Sequence, residues 1–408
     1  MKIEVSEKHI GLRIAVTAVA LVIAVVAFTI GVVNIGKKTT GYQNIEAKVD
    51  AEAITYNDAV LYRYWFGGTS NEIKRSINAL VLEYTPILSA AYKQTDYQNT
   101  YSGQVSIGTI NQHPGEIVTV SAELYAILKD AYAKTLEGRG YNIFAGALYA
   151  EWKSIQILEN PAEFDPANNE NTAERLHAIA EQVNDLSNFN LEFLDDSTCS
   201  LRFSTASGYD EFCREYEIAA PALDLNNLRD AYMLSMMGEA LVADGYSIGH
   251  LTTPAGLALN TSPRGSLAYD MHTWDYGKDS VYASVELDGV FSAATFTAYG
   301  MGSDYGYSLE TSADPTASTG SNGIQQDPTA STGSNRLYRH LYFDVRTGDF
   351  TDVLMSATII SRDMDIVGNT YESIILNTLG TEQEVSAYAA DLEKAGKLVS
   401  YVFQSTQN

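Results

Sequence analysis

Cysteine and histidine are scarce in this chain. It has two cysteines, Cys199 and Cys213, and six histidines (His9, His113, His177, His250, His272 and His340) in 408 residues. No CxxC occurs and no histidine stands at ligand spacing from a second one, which argues against zinc-finger and histidine-metal chemistry. Phosphate-cradling GxxxxGKS/T and GxGxxG loops are missing, as are the HExxH helix and the GxSxG elbow. Basic residues are few: 26 Lys and Arg face 51 Asp and Glu, a net charge of −25. Residues 39–408 alone hold 21 basic against 49 acidic groups. Such a surface repels nucleic acid and anionic lipid, so nucleic acid is set aside as a partner. Hydrophobic content of 45% with 19% charged residues leaves enough apolar material for a large globular core.

What is present begins with an apolar run. Ile14–Val33 is 20 residues without a charge, and a 20-residue helix rises about 30 Å, the thickness of a bilayer's hydrocarbon core. A cleaved signal would carry a shorter apolar region ending in a small-x-small site. The run therefore reads as one uncleaved transmembrane anchor. Basic residues tie across it, and a 13-residue stub before a long domain places the stub inside and the domain outside. The expected organisation is a cytoplasmic stub at 1–13, the anchor at 14–33, a polar linker at 34–54 and one extracytoplasmic, membrane-tethered domain at 55–408.

Within that domain, helical stripes occur at Ile73–Tyr84, Leu124–Tyr132, Leu176–Val183 and Leu228–Leu241. A fifth follows the Thr381–Glu384 capping box, and Asn171 with Glu174 resembles another box before the third. Strand-like runs lie at 104–110, 116–120, 199–204, 257–260, 280–288, 340–345 and 353–361. Mixed without a βαβ period, these elements imply an α+β fold. Folding Cys199–Cys213 as a hairpin about Ala206 would put both sulfurs on one face, so a disulfide and two buried thiols both stay open. The nonapeptide DPTASTGSN occurs identically at 314–322 and 327–335. It is too small and polar to pack, so 311–336 reads as a flexible duplicated loop.

Arg339-His340-Leu341-Tyr342-Phe343-Asp344-Val345-Arg346-Thr347-Gly348 reads locally as a half-buried strand entering a turn. In the context of the whole chain it also resembles a family motif. The chain resembles the ApbE family, the FAD:protein FMN transferases, over about residues 60–405. Phe66-Gly67-Gly68-Thr69 resembles the family's Met-Gly-Thr opening, and Ser106–Asn111 its Ser-x-Leu-x-x-Leu-Asn segment. Tyr141–Trp152 is similar to its Phe-Asp-Pro-Thr-Val-Gly-Pro-Leu stretch and tryptophan, and Leu223-Asp224-Leu225 to its Leu-Asp-Leu-Gly-Gly helix entry. Ala255-Gly256 falls at its Asn-x-Gly-Gly, Asp304-Tyr305 at the end of its Thr-Ser-Gly-Asp-Tyr, and the His340 stretch at its His-Ile-Ile-Asp-Pro-x-Thr-Gly.

The resemblance implies an ApbE-like mixed helix and sheet domain. It also implies an FAD cleft touched by Thr69, Asn142, Tyr232, Gly256 and His340, and a metal position at Asn369 and Ser373 for Mg²⁺. The departures fall on the chemistry. The glycine pair becomes Asn226-Asn227, the lysine Asp230, one aspartate Ser235 and another Asn142, and the Ala-Asp-Ala-Leu-x-Thr metal segment becomes Gly368-Asn369-Thr370-Tyr371-Glu372-Ser373. His340 stands one place early, and a one-residue slip on a strand turns a side chain to the other face. The pattern implies a membrane-anchored ApbE-like protein without transferase activity, serving as a binding or structural component of a surface assembly with an unidentified protein partner. The alternatives are a divergent, metal-dependent FAD:protein FMN transferase acting on a membrane redox protein, and a module that binds flavin without cleaving it.

Overall fold

Strand alternation and capped amphipathic helices build the molecule around one large antiparallel sheet. The computed structural model describes residues 38–48, 56–275, 278–297, 307–311, 335–340 and 342–404. The stub at 1–13, the apolar run at 14–33, both DPTASTGSN copies, Asp304-Tyr305 and Leu341 lie outside the described residues.

Seven strands pair in the order β1 (Lys38–Ile45), β2 (Leu61–Thr69), β6 (Gly249–Thr252), β7 (Leu257–Asn260), β10 (Phe291–Thr297), β13 (Leu354–Ser361) and β14 (Leu398–Phe403). Every neighbouring pair is antiparallel. Alternation gives this sheet two distinct faces. One face carries Tyr62, Phe66, Leu251, Leu257, Leu259 and Ala294, buried against α1 (Ser70–Thr95) and α7 (Arg229–Ala243). At its far end α9 (Glu382–Lys394) packs Val385, Ala389 and Leu392 onto Phe296, Ala357 and Ile359. The opposite face is covered over β7, β10 and β13 by the hairpin of β8 (Ser266–Asp275) and β9 (Lys278–Asp288), through Met271 and Leu287.

A second core surrounds a small sheet ordered β3 (Ile117–Thr119), β5 (Ser200–Thr205), β4 (Phe189–Asp195). Around it lie α2 (Ile107–Gln112), α3 (Ala122–Leu136), α4 (Gly146–Gln156), α5 (Glu170–Asn184) and α6 (Ser207–Glu215). α7 and α8 (Ile366–Asn377) join the two cores. Tyr232 of α7 and Tyr371, Ile374 and Ile375 of α8 face the second core, while Met233, Met237 and Ile366 face the first. A helix apolar on both sides belongs between two layers. β11 (Tyr307–Thr311) and β12 (Asn335–Arg339) form a further hairpin.

The α+β expectation holds, and β7 falls at 257–260 as the pattern predicts. Four expectations do not hold. No strand forms at 104–110, and residues 107–110 belong to the helix α2, because Ser106 and Thr109 form a reciprocal cap that opens a helical turn. Residues 38–45, expected inside a polar linker, are the edge strand β1, paired along its whole length with β2. The cap of α5 is Asn169, which accepts from the Thr172 amide, two residues before the expected box. The strand at 340–345 ends at Arg339. Beyond it the backbone satisfies itself in a turn, with the Thr347 and Gly348 amides on the Asp344 carbonyl and the Asp344 amide on that of Asp349.

The cysteine hairpin is also absent. Ala206 is the N-cap of α6, and Cys199 sits in the β4–β5 turn at φ 52°, a left-handed position. Both cysteines are free thiols, half-buried against the second core.

Candidate functional site

The loop entering α7 runs from the second core into a helix that joins the two. Asp224 is 2% exposed, and its carboxylate accepts the Asn226 amide at 2.8 Å. Asn226 stands at φ 51°, a conformation that asparagine tolerates better than other side-chain-bearing residues. Its amide nitrogen donates to the Asp224 carbonyl at 2.9 Å and the Asn142 carbonyl at 3.1 Å. Asn227 donates to the Tyr149 hydroxyl at 3.1 Å. Burial pushes the Asp224 and Asp230 carboxyls upward, and the Lys153 and Arg229 charges pull both back. Arg229 lies over the Tyr92 ring at 4.7 Å, and Tyr92 stacks on Tyr56 at 3.9 Å.

The expected site residues are bonded or packed within the fold. Thr69 is the N-cap of α1: its amide and hydroxyl both donate to Glu72 Oε2, at 2.7 and 2.8 Å. Asn142 is 3% exposed and satisfied within the framework, donating to the Val183 carbonyl and accepting the Phe144 amide, both at 2.8 Å. Tyr232 ties α7 to α3 through a 2.7 Å bond to Asp130, and burial holds its phenol well above the usual range. Gly256 makes a turn at φ 87°, where a Cβ would fall 2.3 Å from the Thr295 carbonyl oxygen. Each of the four is accounted for by folding alone.

His340 points inward, 3% exposed, against Phe296 and Tyr342. Its Nδ1 accepts the Tyr342 amide at 3.0 Å, so the neutral ring carries its proton on Nε2. Its carbonyl accepts Trp152 Nε1 and Gln156 Nε2, each at 2.9 Å, strapping this stretch to α4. Burial, helped by Arg339, lowers its pKa to about 3. The unfolded chain binds this proton below the ordinary value of about 6.5 while the native state does not. His340 therefore removes stability as pH falls through that window. Replacing His340 with Phe should reduce the slope of unfolding free energy against pH by up to about 1.4 kcal/mol per pH unit there. Denaturant titrations at pH 7 and pH 5 would read it, and an unchanged slope would mean that the imidazole is not held neutral.

Asn369 and Ser373 occupy successive turns of α8, both buried. The Asn369 amide nitrogen donates to the Ser292 carbonyl at 3.1 Å, the Ser292 hydroxyl at 3.0 Å and the Ser361 hydroxyl at 2.8 Å. Three acceptors around the nitrogen fix the amide's orientation. Its oxygen receives the Lys397 ammonium at 2.8 Å. Lys397 is aimed by the end of α9: Gly396 at φ 89° and amide bonds from Gly396 to Glu393 and from Lys397 to Leu392 form a Schellman turn. The Ser373 hydroxyl donates to the Thr370 carbonyl at 3.0 Å, and the Tyr342 phenol faces Ser373 and Asp230. Lys397 and Lys153 were not legible as site residues. Ala395-Gly396-Lys397 signals a helix end, but nothing in it names a partner 28 residues away.

No known family profile matches the sequence, and no curated protein does. Solved structures do. The ApbE protein of Thermotoga maritima is similar at TM-score 0.54 and 16% identity, covering 90% of this chain and 96% of its own. The flavin transferase ApbE of Vibrio cholerae gives 0.51 at 12% identity, covering 90% and 95%. The apo flavinyl transferase ApbE of Pseudomonas stutzeri gives 0.51 at 14%, covering 90% and 92%. The fold is that of the ApbE flavin transferases.

On this ApbE fold, the residues present do not fit the metal and dinucleotide that the family resemblance implies. A divalent cation needs several oxygens, with carboxylates among them. Asn369 offers one neutral oxygen already holding an ammonium, and no three His, Cys, Asp or Glu among the described residues group to hold a metal. Where the resemblance expects a glycine pair, Asn226 and Asn227 carry side chains that bond to the Asn142 carbonyl and the Tyr149 hydroxyl. Asp230 puts a carboxyl where the motif has a lysine.

Proposed function

We propose that this chain keeps the ApbE fold without flavin transfer, and serves on the outer side of a membrane as a binding or structural component of a surface assembly. The observation that carries this reading is the Lys397 ammonium at 2.8 Å from Asn369 Oδ1. A cation supplied by the chain itself stands where the resemblance implies a metal, and its charge opposes a second one there. The apolar run Ile14–Val33 supports the tether. Fold alone does not give function, so the reading rests on these residues.

The test is a titration of purified full-length protein with FAD, with and without Mg²⁺, following flavin fluorescence and AMP release. We expect no fluorescence change up to roughly 100 μM and no AMP in either condition. Metal-dependent AMP release would establish an active transferase. Saturable fluorescence change without AMP would establish a flavin-binding module. Either result overturns the proposal.

A further inference from the structure

Among the described residues, the sheet face opposite α1 and α7 is covered over β7, β10 and β13, and no element covers it over β1 and β2. Leu61, Arg63 and Trp65 project from that open face, with Leu61 45% and Trp65 38% exposed. Arg63 lies over the Tyr42 ring at 5.6 Å and makes no ion pair among the described residues. Directly beside it in register is His250 of β6, and beside His250 is Asn260 of β7. Adjacent strands lie about 4.8 Å apart, so these three side chains form a row roughly 10 Å long. Two atoms of the row lack hydrogen-bond partners although buried: His250 Nε2 and Asn260 Oδ1. Asn260 is only 2% exposed, and its nitrogen is occupied by the Gly289 carbonyl at 2.6 Å. The row thus offers a cation, a ring nitrogen and a carbonyl-type acceptor side by side, with tryptophan and tyrosine next to them.

The sequence places this face close to the apolar run. Only Asn34, Ile35, Gly36 and Lys37 separate Val33 from the first residue of β1. Four residues span at most about 14 Å. A chain anchored through Ile14–Val33 therefore holds the β1–β2 edge at the headgroup layer. Charge orients it further. Residues 38–75 contain Lys38, Lys48, Arg63, Lys74 and Arg75 against Glu46, Asp50, Glu52, Asp58 and Glu72, a neutral segment in a protein of net charge −25. Anionic lipid therefore repels this corner less than the rest of the domain, and Arg63 is its unpaired cation among the described residues of the open face.

We propose that the open β1–β2 face, with His250 at its border, docks on the bilayer surface, with Trp65, Tyr42 and Leu61 in the interfacial layer and Arg63 and His250 receiving an anionic phospholipid headgroup. This rests on the membrane tether of the preceding section. Tryptophan and tyrosine favour the interface, and arginine covers apolar surface while reaching a phosphate. A neutral His250 donates from Nε2 to a phosphate oxygen, which gives that orphan atom a partner, while Asn260 stays beneath the β8–β9 hairpin. The His250 pKa, lowered to about 4 by burial and Arg63, agrees with a neutral ring in the free protein.

The experiment uses the full chain reconstituted into phosphatidylcholine vesicles with and without phosphatidylglycerol, with bromine on the acyl chains as quencher. Flotation reads the tether, and tryptophan quenching reads the face. The chain has three tryptophans, and Trp152 and Trp274 are common to both proteins, so the difference between the parent chain and Trp65→Phe isolates Trp65. We expect the parent to float and Trp65 to be quenched, more strongly with phosphatidylglycerol. Arg63→Gln should weaken the phosphatidylglycerol-dependent part about five-fold. Flotation with Trp65 unquenched overturns the docking face and leaves the tether standing. Failure to float overturns both. An unquenched Trp65 with Arg63→Cys chains cross-linking to each other assigns the face to a second copy. An unquenched Trp65 with inorganic phosphate shifting the His250 ring signals assigns the row to a free anion. Either assignment overturns the proposal.

Discussion

Arg339→Ala should destabilise the protein by about 3–5 kcal/mol, the cost of breaking a buried ion pair from one side. Arg339 is 4% exposed and Asp165 0%. The guanidinium meets the carboxylate twice, Nε to Oδ2 at 2.8 Å and Nη2 to Oδ1 at 3.2 Å, and also pairs with Asp352. Its flat face lies over Phe350 at 5.1 Å. This pair fastens the loop after α4 to the end of β12, immediately before the His340 turn. Alanine would leave the Asp165 carboxylate buried without its fork, and Asp352 would lose the charge that draws its carboxyl down against burial. Asp165 also accepts the Ala167 amide at 2.8 Å. Adding Asp165→Asn to Arg339→Ala keeps an oxygen for that amide and removes the stranded charge, so the double variant should recover part of the loss. Guanidinium denaturation midpoints of the parent, single and double variants decide it. A single variant within about 1 kcal/mol of the parent would show that the pair is not load-carrying.

A smaller change probes the core beneath the same turn. Trp152 is wholly buried, packs against Phe350 at a ring separation of 3.9 Å, and holds the His340 carbonyl. Trp152→Phe keeps most of the apolar volume and loses the indole donor. It should cost about 1–3 kcal/mol, and Gln156 would remain as a second donor to the same carbonyl. A cost near zero in the same denaturation assay would mean that Gln156 alone satisfies it.

The parts legible in the sequence were those whose cause is local. Thr381 caps α9 by accepting the Glu384 amide, as the capping signature implies. Residues 257–260 read as strand, and so they are, because four consecutive residues are buried on both faces of a central strand. Misreadings arose where a distant partner decides. Ser106–Asn111 has strand-like composition, yet the cap at Ser106, held further by a 2.6 Å bond to the Asn99 carbonyl, selects a helix. The polar stretch 38–45 becomes a strand only because β2 presents an edge to it. The cysteine register failed because Ala206 starts a helix instead of turning a hairpin. The same distinction governs the site. Losses of charged residues were visible position by position, whereas the cation that fills the gap comes from the far end of α9 and is fixed by tertiary packing.

That cation also gives the sharpest expected gain of function. Asn369→Asp alone would set a buried carboxylate against the Lys397 ammonium. The pair would neutralise itself, and the Ser292 and Ser361 hydroxyls, which accept from the Asn369 amide nitrogen, would still surround it. No metal should bind, because the ammonium keeps the position. Lys397→Ala alone frees a neutral amide oxygen, which is too weak a ligand set for a hard dication. Combined, Asn369→Asp and Lys397→Ala leave a carboxylate beside the Ser361, Ser292 and Ser373 hydroxyls, with room where the ammonium stood. Isothermal titration with Mn²⁺ should then show saturable binding in the double variant at least about ten-fold tighter than in either single variant or the parent. Binding of equal strength in the parent would mean that Lys397 swings aside for a metal and does not replace it. Binding in Lys397→Ala alone would mean that the amide suffices and that the lysine by itself excludes the ion.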